Sequence, residues 1–150
     1  MKETSGPVPV TLLFDVRSPW CYQTSRWLRR LAELGEVALS FGVFSLEVIN
    51  LHDDEDPRRY DAEYGPALRV ALALRAEHGE RAIGDFYAAF GTRMWETQTP
   101  ELPDVPSLTR QALADTGIEP EYADKVLADE GTWAAVLAEH QTRLAAALQG

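Results

Sequence analysis

The spacing of apolar positions changes twice in the first fifty residues. The run VTLLF, Val10 to Phe14, is β-branched or large and apolar, the pattern of a buried strand. From Pro19 onward the spacing becomes threes and fours. Trp27, Leu28, Leu31 and Leu34 define the apolar face of a predicted helix, and Gly35 closes it. In VALSFGVFSL, Val37 to Leu46, residues Val37, Leu39 and Phe41 alternate with Ala38 and Ser40, which predicts a second strand. Strand, helix, strand is the opening of a βαβ unit with adjacent parallel strands and a right-handed crossover.

Beyond Leu46 the pattern is helical. The polar stretch 51–65 predicts irregular chain with one helical turn. Pro66 starts a helix carrying Leu68, Ala71, Leu72 and Arg75, and Gly79 breaks it. A helix over Arg81–Trp95 places Ile83, Phe86, Tyr87, Phe90 and Met94 on one face. The stretch ETQTPELPDVP reads as a loop. Ser107 is the expected cap of a helix through Ala114, and Pro120 the start of one to about Ala128. A last helix, Thr132 to Leu148, carries the stripe Trp133, Val136, Leu137, His140, Leu144 and Leu148. Two strands alone make a poor core, so either helices do most of the packing or further strands are wanted. Exposed apolar sheet faces, or a homo-oligomer covering them, are the expected consequence.

Composition narrows the function classes. The 150 residues are 45% hydrophobic, enough for one domain with a sizeable core. A net charge of -10 opposes nucleic acid and anionic membrane surfaces as partners. No apolar run approaches the roughly 20 residues of a membrane span. MKETSGPVPV lacks the apolar centre of a signal peptide, and a single cysteine fits a reducing compartment, so a cytoplasmic location is expected.

That cysteine, Cys21, lies near the start of the first helix, where unpaired N–H groups favour a thiolate. A small buried hydrophobe is the plainer role. Three residues earlier stands Ser18, in SPWC. The spacing is that of a CxxC redox pair, but the first thiol is replaced by a hydroxyl. A serine there caps the helix, or donates a hydrogen bond to a bound thiolate. Arg17 offers charge for a cofactor carboxylate, and Trp20 an aromatic wall. Other candidates are weaker. His52, Asp53, Asp54, Glu55 and Asp56 read as a solvated charge run rather than metal ligands. His140 falls on an apolar stripe and reads as a core histidine. Gly42, Gly65, Gly79, Gly84 and Gly91 form no phosphate-binding fingerprint.

The strings LLFDVRSPWCYQTSRWL, FGVFSLEVIN, YGPALRVALALRAEHG and FYAAFGTRMW resemble the DsbA-like branch of the thioredoxin superfamily. The nearer resemblance is to mycothiol-dependent nitroreductases and FrnE-like proteins, from about Val10 to Leu148. It implies an α/β, thioredoxin-like fold. Its parts would be a tail (1–9), a βαβ half (10–50), a helical insertion (51–128) and a helix returning to the thioredoxin-like unit (129–150). It implies a thiol oxidoreductase with no tightly bound cofactor and no metal. Such a protein uses a low-molecular-weight thiol, mycothiol or glutathione, on small electrophiles such as nitro or quinone compounds. By position, Ser18 replaces the attacking cysteine, Pro19 and Trp20 are the dipeptide, and Cys21 is the resolving cysteine. Asn50 and Tyr60 match polar residues near the cleft. Relatives continue with a glycine, threonine and cis-proline turn and two more strands, so a fragment or an inactive truncated homologue is one expectation. Kappa-class glutathione transferases and 2-hydroxychromene-2-carboxylate isomerases carry serine at the position of Ser18, and a serine-assisted transferase or isomerase is the alternative chemistry.

Overall fold

The computed structural model describes residues 6–59, 63–97 and 104–149. Strand β1 (Val8–Phe14) pairs in parallel with β2 (Val37–Val43), in register from Val8 opposite Val37 to Phe14 opposite Val43. β1 starts two residues before the expected Val10. The ladder tolerates Pro9 because even-numbered residues of β1 face β2: Val8 donates to the Glu36 carbonyl and Phe14 accepts from Phe44. Pro9 therefore turns its missing N–H to the outer edge, where no bond is lost. β2 ends at Val43, short of the expected Leu46. Ser45 leaves the strand to cap a short helix, α2 (Leu46–Ile49), its Oγ accepting the Val48 amide at 3.1 Å.

Helix α1 (Pro19–Glu33) makes the crossover between the strands. Its buried face is not the expected one. Tyr22, Ser25 and Leu28 point inward, while Trp27 and Leu34 are 63% and 57% exposed. A serine at the centre of the buried face breaks the apolar period, and Trp27 stands beside that face rather than on it.

The reason for this rotation lies in α4 (Glu80–Gly91). Gly84, Tyr87 and Gly91 lie along one side of α4, a small–large–small stripe at helical spacing. A Cβ at Gly84 would meet the Phe41 ring at 2.9 Å, and one at Gly91 would overlap the Tyr22 ring. Between the two glycines, the Tyr87 ring stacks on Phe14 with centroids 3.8 Å apart, and Phe41 meets both rings edge-on. These glycines, scattered without a motif in the sequence, let α4 press against β1, β2 and α1 at once.

The remaining helices pack around α3 (Gly65–His78), whose Ala67, Leu68, Arg69, Val70, Ala71, Leu72 and Leu74 are all buried. A helix apolar on nearly every side belongs in a core. α5 (Val105–Asp115) is capped by Asp104, not by the expected Ser107. Ser107 instead donates its amide to Asp104 Oδ2 at 3.1 Å. α6 (Tyr122–Ala128) begins two residues after Pro120. α7 (Gly131–Glu139) runs through a wide π turn, His140–Leu144, into α8 (Ala145–Gln149). Trp133, Val136, Leu137 and His140 are buried as expected, but Leu148 is 80% exposed. A second wide turn, Thr92–Glu96, carries the helix begun by α4 through the expected Trp95, so helical chain spans the predicted 81–95.

The outer edge of β2 is sealed by side chains. The Phe41 amide donates to Glu80 at 3.3 Å, and the Phe41 carbonyl accepts from Arg75 at 3.1 Å. The Val43 amide donates to Glu139 at 3.1 Å, and the Ser45 amide to His140 Nδ1 at 2.9 Å. Arg75 and Glu139 are themselves joined by a bidentate pair, at 2.8 and 2.5 Å. The outer edge of β1 is open: among the described residues the amides of Thr11 and Leu13 have no partner. No helix of the described residues is long and apolar enough to cross a membrane.

The α4 stripe makes a signed prediction. Gly→Ala inside a helix ordinarily stabilises by about 0.5–1 kcal/mol. At Gly91 the added methyl enters the Tyr22 ring, and overpacking costs about 1–3 kcal/mol. Gly91→Ala should therefore lower the urea midpoint. A raised midpoint would show that α4 does not approach α1 this closely.

Candidate functional site

β1 ends at Phe14, and the next four residues reverse the chain into α1. Asp15 controls that reversal. Its side chain is fully buried, with Oδ1 accepting the Arg17 amide at 3.0 Å and Oδ2 accepting the Leu46 amide at 2.7 Å. The Ser18 amide donates to the Asp15 carbonyl at 3.0 Å. One carboxyl thus fixes the turn before α1 and ties it to the start of α2. Burial pushes the Asp15 carboxyl above its ordinary range, and the two amides pull the other way. The apolar pattern along the chain does not single out Asp15. Its signal was an aspartate two residues before an amide that needs an acceptor, as in an Asx turn.

Ser18 is the N-cap of α1. It has extended backbone angles, and its Oγ accepts the Cys21 amide at 3.2 Å. Pro19 follows in the first turn, where its missing N–H costs nothing. Because the hydroxyl oxygen is used as acceptor, the hydroxyl proton stays available to a second partner. Cys21 is partly buried, its sulfur side packed against the core cluster.

The other sequence candidates are arranged less tightly. Arg17 is exposed, and its guanidinium lies 6.0 Å from the centre of the Tyr64 ring. Pro19 is exposed and Trp20 is 80% exposed, beside the Ser18–Cys21 turn but standing in solvent. Asn50 is the exposed C-cap of α2, its amide donating to the Leu46 carbonyl at 3.1 Å. Tyr60 lies outside the described residues. The charge run 52–56 is spent locally. Glu55 accepts the His52 amide at 3.1 Å, and Asp56 accepts the Arg58 amide at 3.0 Å.

Against Phe14, Phe41 and Tyr22 lies a group expected only as an apolar-face residue of its helix. Tyr87 is 1% exposed, and its hydroxyl has no hydrogen-bond partner among the described residues. Burial pushes its phenol far above the ordinary tyrosine value, and Cys21 and Ser25 are among the groups that bear on it. Ser25, one turn along α1 from Cys21, donates its proton to the Tyr22 carbonyl at 2.6 Å. The Tyr22 hydroxyl turns the other way, to Glu96, and lies 3.3 Å from the Thr92 hydroxyl.

With this geometry in hand, the chain can be compared with known proteins. The family model described as Rv2466c-like, mycothiol-dependent nitroreductase Rv2466c, matches residues 17–147. The match takes in Ser18 and Cys21. The uncharacterized protein Rv2286c of Mycobacterium tuberculosis (strain ATCC 25618 / H37Rv) is 34% identical over 135 residues. Those residues are 89% of this chain and 57% of that protein, so the chain spans somewhat more than half of this relative's length. The α/β architecture, a parallel βαβ unit followed by helices, is consistent with a thioredoxin-like unit carrying a helical insertion.

His140, which shares the seal beside α2, carries a pH prediction. Its Nδ1 accepts the Ser45 amide, so that nitrogen must be unprotonated, and burial holds its pKa below the ordinary histidine value. On lowering the pH, unfolded chains take up the proton first. The unfolded state then binds more protons, so stability is full above the ordinary histidine pKa and is lost as pH falls through the folded value. Between about pH 7.5 and 5.5 the urea midpoint should fall, and the fall should flatten in His140→Asn. An identical slope in the two chains would contradict the assignment.

Proposed function

The chain belongs to the Rv2466c-like, mycothiol-dependent nitroreductase family, and on that premise we propose that it handles a low-molecular-weight thiol at the N-terminus of α1. The thiol is mycothiol in the first place, with glutathione a poorer substitute. The observation that carries this reading is the Ser18 hydroxyl. Its oxygen is held by the Cys21 amide at 3.2 Å, which leaves its proton to donate to a thiolate arriving at the helix end. The α1 dipole favours the same negative charge. Ser18 and Cys21 are the central residues, Trp20 and Pro19 flank the incoming thiol, and Arg17 attracts its carboxylate. Asn50 and Tyr60 are assigned to the rim of the cleft by family position.

The reaction follows from the single thiol. Ser18 stands where a CxxC pair has its first cysteine, so no disulfide can close across this turn. Two molecules of the small thiol, oxidised to its disulfide, deliver two electrons to a small electrophile such as a nitro or quinone compound. The protein's part is to hold one thiol as its anion and orient it. The same geometry supports a second reading, serine-assisted transfer of the thiol to the electrophile. Product analysis separates the two: a reduced electrophile and a disulfide in the first, a thioether in the second. In either case the protein acts in the cytoplasm on small molecules.

Calorimetry with reduced mycothiol and reduced glutathione tests the common step. Mycothiol should bind, and more tightly than glutathione. Ser18→Ala should weaken it by about 1.5–3 kcal/mol, the worth of one charge-assisted hydrogen bond. Equal affinity in the variant would leave Ser18 as a helix cap and nothing more. A folded chain that binds neither thiol would sink the reading.

A further inference from the structure

Trp133 and Leu137 lie one turn apart on α7 and are nearly buried, yet both line a cavity of about 380 Å³. Two hydrogen-bonded anchors fix its shape. The Trp133 Nε1–H donates to the Pro57 carbonyl at 3.0 Å, which satisfies the polar edge of the indole. Arg69 forms part of the wall. Its guanidinium donates to Thr132 Oγ1 at 2.8 Å and to the Leu127 and Asp129 carbonyls at 3.2 and 3.0 Å, and so holds the passage from α6 into α7. The cavity therefore has a preformed apolar floor, the usual ground for a small organic ligand.

The charge sits at the rim. Arg58 and Arg59 come from the single turn Pro57–Arg59, and Glu130 stands at the start of α7. Arg58 is engaged, its Nε and Nη2 donating to Asp56 Oδ1 and Oδ2 at 3.1 and 3.2 Å. Arg59 is in a different position. Its side chain is 89% exposed, and its Nε lies 3.9 Å from Asp56 Oδ2, an oxygen that already accepts from Arg58. Among the described residues the Arg59 guanidinium makes no hydrogen bond. An open guanidinium fork thus stands at the mouth of an apolar cavity, with a carboxylate on the same rim.

We propose that this cavity is a binding site for a small organic monoanion with a flat apolar body, an aryl-substituted carboxylate being the simplest form. Its carboxylate takes the fork of Arg59, and its ring displaces water from Trp133 and Leu137. Glu130 sets the charge limit: a polyanion would meet like charge on the rim, whereas a single carboxylate can turn toward Arg59. None of these residues is among those assigned to the thiol at the end of α1, and the proposal does not rest on that assignment.

The probe is 3-phenylpropionate, titrated into the whole chain by calorimetry and by NMR. Binding should saturate with a Kd of about 0.1–1 mM, and the shifts should centre on the Trp133 indole and Leu137. Phenethylamine, the same ring with the opposite charge, should not bind there. Arg59→Gln should weaken the carboxylate by about fivefold or more, while Glu130→Gln should tighten it by about twofold. Both side chains are exposed, so the melting temperatures should stay at the wild-type value. Effects of opposite sign at two exposed positions are not what a merely structural role would give. No saturation up to about 10 mM would overturn the site. So would an Arg59→Gln chain of unchanged affinity. Unchanged affinity in Glu130→Gln would overturn the charge limit. Shifts centred on Arg17 and Trp20 would place the carboxylate at the end of α1 and overturn a second site.

Discussion

The Arg75–Glu139 pair holds together what two strands cannot hold alone. Both side chains are largely withdrawn from solvent, at 22% and 9% exposure, and each also reaches the β2 backbone. Burial pushes the Glu139 carboxyl up, but Arg75, the Val43 amide and Arg143 outweigh it and hold it below its ordinary range. A shielded bidentate pair of this kind is not a surface ion pair worth a few tenths of a kcal/mol. Removing one partner strands a buried charge, at a cost of about 3–5 kcal/mol. The pair also links α3 to α7, so the helices close on each other and on the strand through the same four atoms. With Glu80 and His140 beside it, the edge of β2 is completed by side chains where a third strand would otherwise be wanted.

That seal sets the position of everything at the other end of the sheet. With α3 and α7 fixed on β2, α4 is pressed flat against the strands, and its two glycines admit Phe41 and Tyr22. Tyr22 then fixes the rotation of α1, its ring edge-on to Tyr87. Asp15 closes the remaining freedom by tying the turn before α1 to the start of α2. The Ser18–Cys21 turn is therefore held from below by aromatic packing and from the side by a buried carboxyl. Its outer face, with Trp20 and Arg17, is exposed to solvent.

The βαβ opening was legible because its periods are clean: Val10–Phe14 and Val37–Phe41 lie inside the two observed strands, paired in parallel. The stripe of α4 was legible for the same reason, and α3 by its long apolar run between Pro66 and Gly79. The face of α1 was not, because its buried centre is Ser25 and two of the large apolar residues counted on that helix, Trp27 and Leu34, face solvent. The cap of α5 was misplaced by three residues because Asp104 and Ser107 are both good caps and share the same bond. Ser18 was found because its spacing to Cys21 is local. Arg75, Glu139 and the bond from Asp15 to Leu46 were missed because those partners lie far away in sequence. A buried long-range polar contact leaves no periodic trace.

Native-state hydrogen exchange measures the central claim directly. The amides of Phe41, Val43 and Ser45 lie on the outer edge of a two-stranded sheet, where exchange would ordinarily be fast. Sealed by Glu80, Glu139 and His140, they should be protected to nearly the free energy of global unfolding, while Thr11 and Leu13 on the open edge of β1 exchange far sooner. Val43 exchanging as quickly as Thr11 would mean that the helices do not hold the strand, and the account built on that seal would fail.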